Sequence, residues 1–340
     1  MRTKMAGKVE AWFESLWWSK KSPPLALIWL SRLYALMRNR DQHRRLERAM
    51  PSPLPMISVG NITVGGSGKT PFVIWLAVQL QAKGFKPVIL CRGDGSKLEQ
   101  ARILSEQDQV TLVGDEARLL FDSCSCPVVA GKDRMAGAML ARELGDILIL
   151  DDGFQYRQLK RLSDIVLIPA EGAGNGWQLP AGPLREPLEA LGRAHVIVRT
   201  GEEIPVSLNL GKEWRWYSCA SALKQVKGPK QVKPGRALAI SSIARPQRFI
   251  DSLKKEGVKA EHYFRFPDHH RYAVGDIKPC LDSKLPSITT TKDAVKLMPL
   301  WPKERPLWVL EQQGQGDKGL LDAILAPILS QTEESSSYGA

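Results

Sequence analysis

Residues Met56–Lys83 read MISVGNITVGGSGKTPFVIWLAVQLQAK. A short apolar run, 56–59, enters a glycine-rich turn ending in Gly68-Lys69-Thr70, and an apolar segment of helical length follows. Strand, loop and helix in that order are the setting of a phosphate-binding loop. Gly65, Gly66 and Gly68 lack a Cβ, so the backbone can turn tightly and aim several N–H groups inward. The helix beginning there presents its partial positive end to the same point. In this reading the nucleotide cradle comprises Thr63, Val64, Gly65, Gly66, Ser67 and Gly68. Lys69 reaches the β- and γ-phosphates, and Thr70 ligates Mg²⁺. Pro71 falls in the first helical turn, where a missing N–H costs little. The usual pattern asks for glycine at position 63, where Thr63 stands.

Around this stretch strands and helices alternate. Continuous apolar runs at 87–91, 127–130, 147–150, 165–168 and 196–198 predict strands covered on both faces, with a helix at 132–144 between two of them. The fold class is α/β: a parallel-sheet domain like that of P-loop NTPases, with a second, smaller α/β domain joined to it by a β-ribbon linker. The expected divisions are an N-terminal segment (1–50), the nucleotide domain (51–210) and the ribbon (211–235). The smaller domain (236–305), a return strand with the last helix (306–330) and a disordered Ser-rich tail (331–340) follow.

Ligands of such sheets bind beyond the carboxyl ends of the strands. The run 147–150 leads straight into Asp151 and Asp152, carboxylates placed to serve Mg²⁺ beside a phosphate loop. Asp115 follows Gly114 at the start of a helical pattern, where helix capping and a functional role both fit. The Gly- and Pro-rich stretch 174–187 is a loop whose only charges are Arg185 and Glu186. In Phe266-Pro-Asp-His-His270, Asp268 could orient His269 for proton transfer.

The chain of 340 residues carries a formal charge of +12 and is 43% hydrophobic, so it has material for a core and suits an anionic partner. Five cysteines, an odd number without a zinc-type spacing, fit a reducing compartment. The N-terminus places Trp12, Phe13, Trp17 and Trp18 ahead of an apolar run at 25–37, followed by Arg38, Arg40, Arg44, Arg45 and Arg48. That run is too short to span a bilayer. Aromatic residues and a basic flank beside it suit an anionic membrane surface; a helix capping a soluble core is the other reading. Basic residues beside an apolar helix, and not between stacking aromatics, argue against nucleic acid.

Taken together, the motifs resemble the tetraacyldisaccharide 4'-kinase family. The matching pieces are 59–71 (VGNITVGGSGKTP), 113–116 (VGDE), 151–155 (DDGFQ), 179–187 (LPAGPLREP), 243–246 (IARP), 266–270 (FPDHH) and 292–296 (KDAVK). The resemblance covers roughly residues 12–310, and Thr63 is how this family writes its loop. It implies ATP- and Mg²⁺-dependent phosphorylation of the 4'-hydroxyl of a tetraacyldisaccharide 1-phosphate, a lipid A precursor, at the cytoplasmic face of the bacterial inner membrane. No protein partner is implied. Residue by residue, it implies Lys69 and Thr70 at ATP and Mg²⁺, Asp151 and Asp152 in the metal site, and Glu186 close to nucleotide and metal. It makes Asp115 and His269 the pair that takes the hydroxyl proton, with His270 as the alternative to His269. Cys91-Arg-Gly-Asp-Gly95, Ala117, Tyr156 and Thr291 depart from the family pattern without removing any of these groups.

Overall fold

The computed structural model describes residues 9, 12–19, 21–201, 213–243, 246–268 and 270–337, with the side chains of 332–337 excepted. After a helical turn at 12–17 comes α1 (Leu25–Glu47). The first half continues with β1 (Met50–Pro51), β2 (Met56–Asn61), α2 (Lys69–Ala82), β3 (Pro87–Cys91), β4 (Arg102–Ile103), α3 (Val110–Val113) and α4 (Asp115–Ser123). It closes with β5 (Val128–Ala130), α5 (Arg134–Ala141), β6 (Ile147–Asp151), β7 (Leu159–Lys160), β8 (Ser163–Pro169), a 3₁₀ turn (Leu188–Arg193) and β9 (Val196–Thr200). The second half holds β10 (Glu213–Lys227), β11 (Arg236–Ser241), α6 (Pro246–Lys255), β12 (Lys259–Arg265), α7 (Val274–Asp282), β13 (Ser287–Thr290), α8 (Thr291–Leu297), β14 (Leu307–Gly316) and α9 (Leu320–Ser337).

Twelve strands form one sheet in the order β4-β5-β3-β6-β2-β8-β9-β10-β14-β13-β11-β12. Its strands are parallel except at the β4–β5 and β10–β14 pairs. The apolar runs of β2, β3, β6 and β8 are buried along their whole length because both faces are covered. On one face Phe72, Val73, Leu76 and Leu80 of α2 pack with Leu320, Ile324 and Ile328 of α9 over Ile57, Ile89 and Ile149. On the other, Ala138 and Ala141 of α5 cover Val88, Leu90 and Leu148. A separate pair of cores sandwiches β11, β13 and β14: Phe249 and Leu253 of α6 on one side, Ile277, Cys280 and Leu297 of α7 and α8 on the other.

β10 and β14 run through both halves. Residues 213–216 of β10 pair with β9, 307–310 of β14 pair with β13, and the two long strands pair with each other over 216–227 and 307–316. Connections from β2 lead across β6 to β3, whereas β8 lies on its other side, so the carboxyl end of β2 is a switch point where a crevice opens.

The tail corrects one expectation. Helix α9 continues to Ser337 instead of becoming disordered at 331. Once its first turns are docked on the sheet, each added residue fixes its dihedrals for one further hydrogen bond, and Ser and Glu tolerate that.

α1 also docks in an unforeseen way. Ser31, Tyr34, Arg38 and Gln42, spaced along one helical face, bond respectively to Gln178 O (2.9 Å), Arg185 O (3.1 Å), Glu186 (3.3 Å) and Gln155 O (3.0 Å). The polar stripe faces the protein. Leu25 (76% exposed), Trp29 (67%), Leu33, Leu36 and Met37 (66%) point outward on the other side.

Candidate active site

The loop after β2 is shaped from within by Asn61. Its carboxamide donates to Thr63 O at 2.8 Å and Ser67 Oγ at 2.9 Å, and accepts from Lys69 Nζ at 3.2 Å. Thr200, ending β9, donates its hydroxyl to Ser67 O at 3.0 Å. Gly65 and Gly68 take φ of 88° and 80°, so a side chain at either would strain the turn. Thr63 avoids positive φ and is buried, which is why the absent glycine is harmless here. Gly60 serves packing: a Cβ there would lie 2.5 Å from that of Phe154.

Thr63 and Val64 are both stitched to the 183–185 loop: the Val64 amide donates to Pro183 O at 2.8 Å, Arg185 N donates to Ile62 O at 2.7 Å, and Thr63 bridges Leu184. They form the wall of the cradle. The amide of Val64 is already spent on a carbonyl and cannot also bind an anion. Among the described residues, the amides from Gly65 to Thr70 have no protein acceptor. With the α2 N-terminus behind them they make a ready anion site.

Two carboxylates face this cradle. Asp152, at φ 50°, pairs with Lys69 at 3.4 Å and with Arg185 at 3.1 Å. Burial pushes its carboxyl up, but Lys69 and Arg185 outweigh that and hold it at about 2. Asp151 ends β6 and is buried; Arg134 donates to its main-chain O at 2.9 Å, while its Oδ1 has no partner. Burial, then Glu116 and Asp152, push its carboxyl up to about 7. No group of three or more His, Cys, Asp or Glu among the described residues makes a closed metal cage. Mg²⁺ beside a nucleotide is held by one or two carboxylates plus phosphate oxygens, and an orphaned, negatively crowded carboxylate oxygen fits that use.

The sign of the Asp151 effect gives a test. An unfolded Asp titrates near ~3.9, and the folded value is raised to about 7. Its stabilisation is therefore full below the unfolded value and is lost as pH rises through 7. Asp151→Asn should raise Tm at pH 8 in Mg²⁺-free buffer, with the gain shrinking steadily towards pH 4 in calorimetry. A pH-independent shift would count against a buried charge at this position.

Glu186 stands behind the cradle and not in it. It is buried between Arg38 (3.3 Å) and Arg193 (3.1 Å), and Gln155 bridges it to Asn61 O. A carboxylate so enclosed braces α1 against the loop.

Asp115 is the first residue of α4, after Gly114 at φ 91°. The Asp115 Oδ1 accepts from the Glu116 amide at 3.1 Å. A Cβ on Gly114 would meet Asp94 O at 2.5 Å, so the 93–95 turn abuts this helix start. Arg271 from the second half donates to Gly95 O at 3.4 Å, and α4 packs against α8. Arg271 thus reaches the turn that abuts the start of α4. His269 lies outside the described residues. His270 is bonded to Asp276 at 2.9 Å and stacked on Phe266 at 4.6 Å.

Residues 24–329 match the family described as Tetraacyldisaccharide-1-P 4'-kinase (LpxK). The chain belongs to this family. Relatives named tetraacyldisaccharide 4'-kinase include one from Dechloromonas aromatica, 36% identical over 92% of this chain and 96% of its own. One from Thiobacillus denitrificans is 41% identical over 72% and 76%. Among solved structures, LpxK from Aquifex aeolicus, in an "apo" form in complex with ATP, superposes with a TM-score of 0.73 at 30% identity, covering 88% of this chain and 97% of that one.

For this family member, sequence reasoning passed over Asn61, Arg134 and Gln155. Each is a polar side chain close to the end of an apolar strand or in the first turn of a helix, and that interruption was the available signal. What each touches depends on neighbours distant in sequence.

Proposed function

We infer that the chain is an ATP-dependent kinase that phosphorylates the 4'-hydroxyl of tetraacyldisaccharide 1-phosphate in lipid A biosynthesis. The observation that carries this is the meeting of Lys69, its unspent loop amides and the Asp151–Asp152 pair at the carboxyl ends of β2 and β6 in a chain of this family. A nucleotide-binding switch or scaffold without lipid turnover is disfavoured by the family match across most of the chain. The deciding assay combines protein, γ-labelled ATP, Mg²⁺ and disaccharide monophosphate lipid, and follows label into lipid. Label released only as inorganic phosphate would sink the kinase reading.

Phosphoryl transfer needs positioning and charge neutralisation. Lys69 and the amides of Gly65 to Thr70 would hold the β- and γ-phosphates. Asp151, Asp152 and the Thr70 hydroxyl would hold Mg²⁺, whose charge offsets that on the phosphates. Arg185 keeps Asp152 ionised and aimed. Asp115 would accept the sugar hydroxyl's proton, supported by His269.

The enzyme would meet its substrate at the cytoplasmic face of the inner membrane, resting on it through α1. No helix among the described residues is long and apolar enough to cross a membrane. Supporting surface docking, the outward face of α1 sets Trp29, Leu33 and Leu36 beside Arg40 and Arg44. Replacing Trp29 and Leu33 by Glu should cut binding to anionic vesicles about tenfold or more, with turnover of detergent-dispersed substrate held within about twofold. Undiminished co-sedimentation would refute this face as the anchor.

A further inference from the structure

A buried polar cluster joins the carboxyl ends of β11 and β13. Asp293, fully buried, accepts from the Ser242 amide at 2.9 Å and the Thr290 hydroxyl at 2.8 Å, and pairs with Lys296 at 3.0 Å. The Lys296 ammonium also donates to Ser242 Oγ at 2.6 Å and lies 5.4 Å from the centre of the Tyr272 ring. A buried ion pair is an expensive way to hold a helix, since desolvation can exceed the attraction it recovers. What this one secures is α8, and the first turn of α8 carries Lys292.

A lysine in a first turn opposes the helix dipole. Here Asp268 offsets the conflict, 3.1 Å from Lys292. Asp268 belongs to the same loop as Arg271, which reaches Gly95 O beside the start of α4, and α8 packs against α4. The pair therefore ties the anchored helix to a stretch whose Arg271 reaches the turn abutting the start of α4. An ordinary surface ion pair would need neither the buried anchor nor the unfavourable helix position.

We propose that Lys292 is a positioning residue for the transfer: anchored through the Asp293–Lys296 pair, it holds Asp268 in register with Asp115. This rests on the kinase reading above. It is tested with full-length wild type, Lys292→Met, Lys292→Arg, Asp268→Asn and the Lys292→Met/Asp268→Asn double variant, measuring kcat, KM and Tm. Lys292→Met should lower kcat about tenfold or more through lost alignment, leaving KM for ATP and Tm near wild type. Lys292→Arg should recover most of the loss, and Lys292→Met should add little once Asp268 is Asn, because the two residues share the contact at issue. Unchanged kcat in Lys292→Met, a loss confined to KM for lipid, or full multiplication of the two single effects would each overturn the proposal while the kinase reading stands. Wild type without lipid phosphorylation would overturn both.

Discussion

Lys69→Met should lower kcat/KM for lipid phosphorylation about a thousandfold or more, roughly 4 kcal/mol of transition-state stabilisation. The ammonium is part-buried and already drawn into the site by Asn61 at 3.2 Å and Asp152 at 3.4 Å, so it is positioned before nucleotide arrives. Methionine keeps the stem and removes the charge. The fold should survive, since Asp152 retains Arg185 and the strand and helix flanking the loop are packed by apolar residues. Lys69→Arg should recover only part of the rate: a planar fork cannot replace a compact ammonium between a carboxamide and a carboxylate. Label transfer to lipid under subsaturating ATP measures this. A loss below tenfold would remove Lys69 from the phosphate site.

Asp115→Asn should lower kcat about 10²- to 10⁴-fold, the usual worth of a positioned proton acceptor. Asparagine preserves the size of the side chain and its bond from the Glu116 amide, but cannot take a proton. Because Asp115 lies at the start of α4 and not on the phosphate loop, ATP affinity by calorimetry should hold within about threefold. Parallel loss of ATP affinity and kcat would recast Asp115 as a nucleotide or metal ligand. Unchanged kcat would leave it as a favourable first-turn acid on a helix dipole.

These two residues differ in how legible they were. Lys69 follows from local chemistry, because the glycines, the lysine and the helix start are contiguous and need no distant partner. Asp115 alone reads equally well as a residue of a helix start. Its surroundings are set by the 93–95 turn, by Arg271 and by α8, contributed from elsewhere in the chain. Glu186 was legible only as one of two charges in a loop; that Arg38 and Arg193 enclose it is decided by the fold.

The continuous apolar runs and the glycine–lysine–threonine turn were enough by themselves to determine a parallel α/β sheet with an anion cradle at the tip of β2. Both are short-range: strand burial is written in residue type, and the turn in missing Cβ atoms. Tertiary structure alone decided which amides remain open, since Val64 spends its own on Pro183, and which face of α1 looks outward. Residue pattern gives a helix its apolar and polar stripes, but only the carbonyls of residues 155, 178 and 185 and the carboxylate of Glu186, gathered from far along the chain, offered the polar stripe its partners and left the apolar stripe exposed.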